Sequence, residues 1–292
     1  MSTCLPENRR NKIKQLLKEK KHLTVMEAGN ALSGLIVENT VIDGKEFDAM
    51  WLGSLSDSCW KGKPDNEIVD FSSKRKTIEE IFEVTTKPMI VDGDTGGQIE
   101  HFVEHIKVLE QIGVSAVIIE DKAGLKKNSL LGNSVKQTLE DENVFAEKIK
   151  AGKRALLSDD FLLIARIESL IAGNSVDDAI ERALCYVKAG ADGIMIHSFK
   201  KDGKEILQFI SRFKKIYSDI PIVVVPTTYN KVKNNELFEA GANIVIHANQ
   251  LLRSAYSAMS NAAKQILKDG SSKTVDNMYC IPVKEIFKIV GD

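Results

Sequence analysis

The chain runs to 292 residues with acids and bases almost balanced, for a formal net charge of −1. That balance argues against a broad nucleic-acid or anionic-membrane surface, so neither partner is expected. Four scattered cysteines (Cys4, Cys59, Cys185, Cys280) form no C-x-x-C pair, which argues against a zinc knuckle or disulfide framework and for a reduced, cytoplasmic setting. No apolar run approaches the ~18 residues of a membrane span, and the N-terminus shows no signal-peptide core.

In chain order, Asn8 to Leu17 reads as an amphipathic helix with Ile13, Leu16 and Leu17 at helical spacing. Leu23 to Met26 is a short buried strand, Ala31 to Glu38 a helix, and Phe47 to Leu52 a second strand leading into a small-residue loop, Gly53 to Ser58. The polar stretch Lys61 to Asn66 precedes a helix over Thr77 to Thr85, where Thr77 and Glu80 suggest a capping box. Strands then follow at Met89 to Val91, Ala116 to Ile119, Phe161 to Ile167, Ile194 to His197, Ile222 to Pro226 and Ile244 to His247. Helices separate them, and the chain closes on a long helix, Leu251 to Leu267, and a short one, Val283 to Ile289. Continuous Val/Ile runs belong to strands buried on both faces, hence to a parallel sheet. Eight β/α units in a chain near the typical length of about 250 residues predict one TIM (β/α)8 barrel, with residues 1–292 as a single domain. A doubly wound sheet is the alternative arrangement of the same pattern.

Polar residues gather where the strands end, and barrel enzymes build their sites there. Those ends are Glu27, Gly53-Ser54, Asp92 and Asp94, Glu120-Asp121, Arg166 and Glu168, His197, Thr227-Thr228, and His247. Asp92-Gly93-Asp94 sets two carboxylates at alternate positions of an extended chain, fit for a hard cation such as Mg²⁺ with Glu120 from the next strand. The same residues also suit an Asp-Gly turn capping the next helix. Arg166 suits a bidentate clamp on an anion or an internal pair with Glu168. His197 suits an anion donor, a proton relay or a rim histidine held by backbone, and Ser54-Leu55 offers backbone N–H groups to a carboxylate or simply turns the chain. No Walker lysine follows Gly96-Gly97 and no G-x-G-x-x-G follows the first strand, which argues against a P-loop or a dinucleotide site.

Taken together, Asp92-x-Asp94-Thr-Gly, Glu120-Asp121-Lys122, Lys126-x-Asn128-Ser129, Ala165-Arg166-Ile167-Glu168, Ile196-His197-Ser198, Pro226-Thr227-x-Tyr229 and Ala248-Asn249 resemble the isocitrate lyase/phosphoenolpyruvate mutase superfamily, and within it the mutase branch. The carbon–carbon lyases of the superfamily carry K-x-C-G-H where this chain reads Lys126-Lys127-Asn128-Ser129, so their acid/base cysteine is missing. Phosphonopyruvate hydrolases tend to have threonine in place of Asn128. Two departures stand out: Asn30-Ala31-Leu32-Ser33 where the family often has D-A-L-S, and Gly53 where relatives often have serine.

The resemblance implies interconversion of phosphoenolpyruvate and 3-phosphonopyruvate, with phosphonopyruvate hydrolysis and Mg²⁺-dependent carbon–carbon lyase or decarboxylase chemistry as alternatives; a non-catalytic binding barrel is a separate reading, ranked last because the metal carboxylates and the Arg/His pair are intact. It also implies Mg²⁺ on Asp92, with Asp94 and Glu120 acting through water. Arg166 and His197 would meet the phosphoryl group, bordered by Asn128 and Ser129. Ser54 and Leu55 would hold the carboxylate beneath Trp51, and Lys126 would sit on a closing loop. Asp65 falls where an aspartate acts as nucleophile or electrostatic guide. A homo-oligomer, dimer or tetramer, with a C-terminal helix exchanged between subunits, completes the expectation.

Overall fold

A computed structural model describes residues 4–124 and 126–291. Eight parallel strands close on themselves: β1 (Leu23–Glu27), β2 (Ala49–Leu52), β3 (Met89–Asp92), β4 (Ala116–Glu120), β5 (Leu162–Ile167), β6 (Gly193–Ile196), β7 (Ile222–Val224) and β8 (Ile244–His247). Neighbours in sequence pair in space, and β1 completes the ring by pairing both β2 and β8, so closure excludes the doubly wound alternative.

The strands carry apolar residues on both faces because both are covered. One face fills the barrel interior with Leu23, Val25, Ala49, Trp51, Ile90, Ile118, Ile164, Met195, Val223 and Ile246. The other packs against the surrounding helices through residues such as Val91, Val117, Ile119, Leu163, Phe209 and Phe213. The first helix, α1 (Pro6–Lys20), sends Ile13 and Leu16 into the interior cluster and so plugs the amino-terminal mouth. Buried Arg9 anchors it, donating to the carbonyls of Phe82 and Thr85 with its guanidinium 3.8 Å from the Phe82 ring centroid.

The remaining helices are α2 (Ala31–Asn39), α3 (Ser54–Trp60), α4 (Phe71–Val84), α5 (Ile99–Gln111), α6 (Glu142–Ala155), α7 (Val176–Lys188), α8 (Lys204–Ile216), α9 (Asn234–Ala240), α10 (Gln250–Asp269), α11 (Lys273–Met278) and α12 (Val283–Val290). None of the helices among the described residues is long and apolar enough to cross a membrane. Asn30 accepts from the Ser33 amide as a helix cap, a task asparagine performs as well as aspartate.

Two expectations about local structure need correction, and some short elements were not anticipated. The small-residue stretch after β2 is helix α3, because Ser54, Ser56 and Ser58 bury themselves in a tight turn that Ser58 steadies by donating to the Ser54 carbonyl at 2.6 Å. Helix α4 begins earlier than the Thr77 signal suggested: Asp70 caps it through the Ser73 amide, and Thr77 lies mid-helix, donating to buried Asp57 at 2.8 Å. A two-residue hairpin, Val41–Ile42 with Lys45–Glu46, and helix α11 were too short to carry a periodic signal.

Candidate active site

Strand parity selects which rim residues face inward. Continuing the interior positions toward the carboxyl ends brings Glu27, Asp92, Glu120, Arg166, Glu168, His197 and Thr227 to the mouth. The intervening residues turn outward: Asp121 accepts from Tyr186 on α7, and His247 contacts Asn234 on α9. His247 therefore lies outside the site, although it too ends a strand. Glu27 faces in, yet accepts from the Leu252 amide at 2.6 Å and so tethers the start of α10.

The acidic side is built on β3. Asp94 does not continue the extended strand as the spacing suggested; its φ is 55°, the left-handed region, and its amide donates to Asp92 Oδ1 at 3.0 Å. Nor does it cap a helix, since α5 starts later, after Gln98. This turn aims both carboxylates at the Lys126 ammonium, which lies 3.1 Å from Asp92 Oδ2 and 2.6 Å from Asp94 Oδ1. Burial alone would raise the Asp92 carboxyl, but Lys126, Arg166 and Lys74 overcome it and hold the group below its ordinary range. Lys126 and Lys74 do the same for Asp94. The Ser54 amide donates to Asp92 Oδ2 at 3.3 Å, so it is not free for a ligand as expected. Gly53 supplies no side-chain cap to α3, so the first-turn amides at Leu55 and Ser56 keep no intrahelical partner. A Cβ on Gly53 would stand 2.5 Å from the Trp51 indole nitrogen, which accounts for glycine here.

The cationic side is built on β5. Arg166 spends Nε on Glu168 Oε1 at 2.5 Å and Nη2 on Ser129 Oγ at 2.7 Å, with Glu120 Oε2 3.1 Å away. His197 Nδ1 sits 3.1 Å from both Arg166 Nη2 and Glu168 Oε1, which anchors the ring on the Arg166–Glu168 pair. Burial and then the Arg166 charge lower His197, so the ring is neutral at pH 7. Ser129 is a junction: it donates to Glu168 Oε2 and receives Lys122 Nζ at 2.6 Å. Burial, reinforced by the Glu168 charge, pushes the Glu120 carboxyl up to about 7 against the pull of Arg166 and Lys126.

The segment after β4 folds over this pair of clusters. Asn128 caps a short 3-10 turn, Ser129–Ser134, and its Nδ2 donates to Asp65 Oδ2 at 2.6 Å. Asp65 Oδ1 lies 3.4 Å from Lys126. Beneath this cover is a small cleft of about 60 Å³ bordered by Trp51, Leu55, Asp65, Asp92, Lys126, Asn128, Ser129, Arg166 and His197. The structure thus gathers the sequence-chosen residues at one mouth, with Ser54, Asp94 and Glu120 a layer behind the cleft wall. Two members escaped the sequence reading. Lys122 was quoted only as part of a motif, and Lys74 comes from a helix instead of a strand end. The signal for Lys74 was present: it opens the buried stripe Lys74, Thr77, Ile78, Ile81, and a lysine there must find anions.

No three Asp, Glu, His or Cys side chains among the described residues enclose a metal site by themselves. A small hard cation does not require that, because it keeps several waters and takes one or two carboxylates plus substrate oxygens. The donors present fit such an ion. Lys126 already places a cation between Asp92 and Asp94, and neither oxygen of buried Glu120 has a hydrogen-bond partner among the described residues. Arg166 and Lys122 stand within ion-pair range of these oxygens without a hydrogen bond to either, and a cation or its hydration water would satisfy them.

Fold and site together define a (β/α)8-barrel enzyme that handles a small anionic substrate between carboxylates, ammonium groups and one guanidinium. A sequence model of the family described as phosphoenolpyruvate phosphomutase matches residues 13–267, and the chain belongs to that family. It is 35% identical over 281 residues to a phosphoenolpyruvate phosphomutase of Tetrahymena pyriformis, covering 96% of this chain and 90% of that protein. The crystal structure of a phosphoenolpyruvate phosphomutase from Streptomyces platensis subsp. rosaceus superposes with a TM-score of 0.89 at 32% identity, over 96% of this chain and 94% of that one. A phosphonopyruvate hydrolase in complex with oxalate and Mg²⁺ is similar with a TM-score of 0.86 at 30% identity, over 97% and 95% of the two chains.

Proposed function

We propose that this enzyme interconverts phosphoenolpyruvate and 3-phosphonopyruvate, forming the C–P bond of phosphonate biosynthesis, with Mg²⁺ as its cofactor. The observation that carries the reading is the latched gate: Lys126, Asn128 and Ser129 reach Asp92 and Asp94, Asp65, and Glu168 respectively, within one short segment. In the reaction the P–C bond of phosphonopyruvate breaks and a P–O bond to its own enolate oxygen forms, with no proton gained or lost. Such a transfer asks for positioning, charge and dryness rather than an acid or base. A gate without the lyase cysteine, closed over a neutral histidine, supports that demand.

Asp92 would hold Mg²⁺, with Asp94 and Glu120 beside it to meet its water, and the ion would supply positive charge to the substrate oxygens. The chain's own residues do the rest. Arg166 and His197 stabilise the moving phosphoryl group, Asn128 and Ser129 border it, and the unpartnered first-turn amide of Leu55 holds the carboxylate beneath Trp51, with Ser54 supporting the turn from behind. Lys126 leaves the acids as the gate engages substrate and excludes water. Asp65 faces the cleft between Asn128 and Lys126, where it either accepts the phosphoryl group or steers it; rapid-quench trapping of an acyl phosphate separates the two.

With Mg²⁺ and phosphonopyruvate, ³¹P NMR is expected to show phosphoenolpyruvate. Pyruvate and free phosphate instead would establish the hydrolase, whose solved relative is nearly as similar, and full turnover by Asn128→Ala would remove Asn128 as the discriminating residue. We also propose a homo-oligomer, dimer or tetramer, in which α10 packs against a second copy: no residue of α10 or α12 is buried within the described chain.

A further inference from the structure

We propose that Lys74 is a positioning residue that orients Asp94 and Ser54 and sets the charge of the site, an assignment resting on the reading above that a divalent cation and an oxyanion bind here. Lys74 stands on the wall helix α4 and reaches the rim from behind. An ammonium has three donors, and all three are used: Ser54 Oγ at 3.0 Å, the Asp92 carbonyl at 2.7 Å and Asp94 Oδ2 at 2.8 Å. One buried charge therefore ties the β3 turn to the start of α3, the two elements that face the metal and the substrate carboxylate.

Asp94 divides its two oxygens between two lysines. Oδ1 takes Lys126 from the gate and Oδ2 takes Lys74 from the barrel wall. When the gate moves, Lys126 goes with it and Lys74 stays. Asp94 then keeps one oxygen tied back and turns the other toward the cleft, which favours contact with a metal ion through water over a bidentate grip. Thus Lys74 restrains Asp94 throughout the cycle.

The second consequence is electrostatic. Five acids, Asp65, Asp92, Asp94, Glu120 and Glu168, share the site with four cations, Lys74, Lys122, Lys126 and Arg166, all within ion-pair range of one another's partners. Removing Lys74 makes the site more negative. Cation binding then strengthens while anion binding weakens, a divergence that simple structural damage does not produce.

The test uses binding, not turnover, so a mutase and a hydrolase give the same answer. Free Mn²⁺ is followed by electron paramagnetic resonance, and oxalate binding to the Mn²⁺-saturated protein by calorimetry. In Lys74→Met, Mn²⁺ is expected to bind several-fold tighter and oxalate about tenfold more weakly, the scale of one unit charge at a partly buried site. Lys74→Gln, which keeps polar reach without charge, is expected to diverge the same way, and Lys74→Arg to restore both affinities to within about twofold of the parent. Values for Met and Gln that stay near the parent's, or that weaken together, overturn the proposal, as does failure of both variants to fold. Loss of Mn²⁺ and oxalate binding in the parent itself would instead overturn the reading of the site as a whole.

Discussion

At the residue scale, Arg166 shows why a charge of the right sign is not enough. Its fork engages Glu168 through Nε and Ser129 through Nη2. A lysine ammonium cannot reproduce two parallel contacts in one plane. Arg166→Lys is therefore expected to lower kcat/KM by about 10²-fold or more, measured by steady-state kinetics, with the fold intact by circular dichroism. Glu27 supplies a pH-dependent counterpart. Burial pushes its carboxyl up to about 7 from 4.5, even though the Leu252 amide and Ser56 pull it down. Between those values the folded chain binds more protons than the unfolded chain, so this group's contribution falls as pH rises from about 4.5 to 7 and stays low above that. Glu27→Gln keeps the acceptor for Leu252 and removes the charge. It is expected to stabilise the protein at pH 8 by at most about 3 kcal/mol, with little change at pH 4, in urea denaturation.

At the element scale, two segments do more than their length suggests. Helix α1 closes the bottom of the barrel with Ile13 fully buried in the interior cluster. Ile13→Ala should cost about 2–4 kcal/mol by urea denaturation, with the denaturant slope unchanged, while leaving KM for substrate near the parent value because the mouth lies at the other end. The gate shows the opposite economy. Among its described residues Leu130 and Leu131 are exposed, and it is held by polar contacts at Lys126, Asn128 and Ser129. Polar contacts can be replaced by contacts to a substrate or to water once they part, so a gate held by them can open.

At the scale of the whole molecule, the described chain leaves one region bare. Helices α10 and α12 bury no residue, and Val283, Ile286, Phe287 and Val290 expose apolar side chains along one short helix. A contiguous apolar surface of this kind marks an interface. Sedimentation velocity should therefore show an oligomer, and Ile286→Glu with Phe287→Glu should shift it toward a smaller species and make Tm depend on protein concentration. A monomer indifferent to both substitutions would remove the exchanged-helix proposal.

The order of the strands, the barrel and most of the residues gathered at its mouth were legible in the sequence. Val/Ile runs must be buried on both faces of a parallel sheet, and period-2 alternation then carries alternate end residues to one rim. What tertiary structure alone decided is which polar groups partner one another. His247 and Asp121 end strands like the rest, yet register turns them outward. Lys74 belongs to no strand, and only the packing of α4 against the back of β3 brings its ammonium to Asp94 and Ser54. Local sequence sets which face a side chain occupies, because backbone geometry repeats every two or 3.6 residues. The partners of a buried charge come from elements far apart in the chain, and they are chosen when the barrel closes.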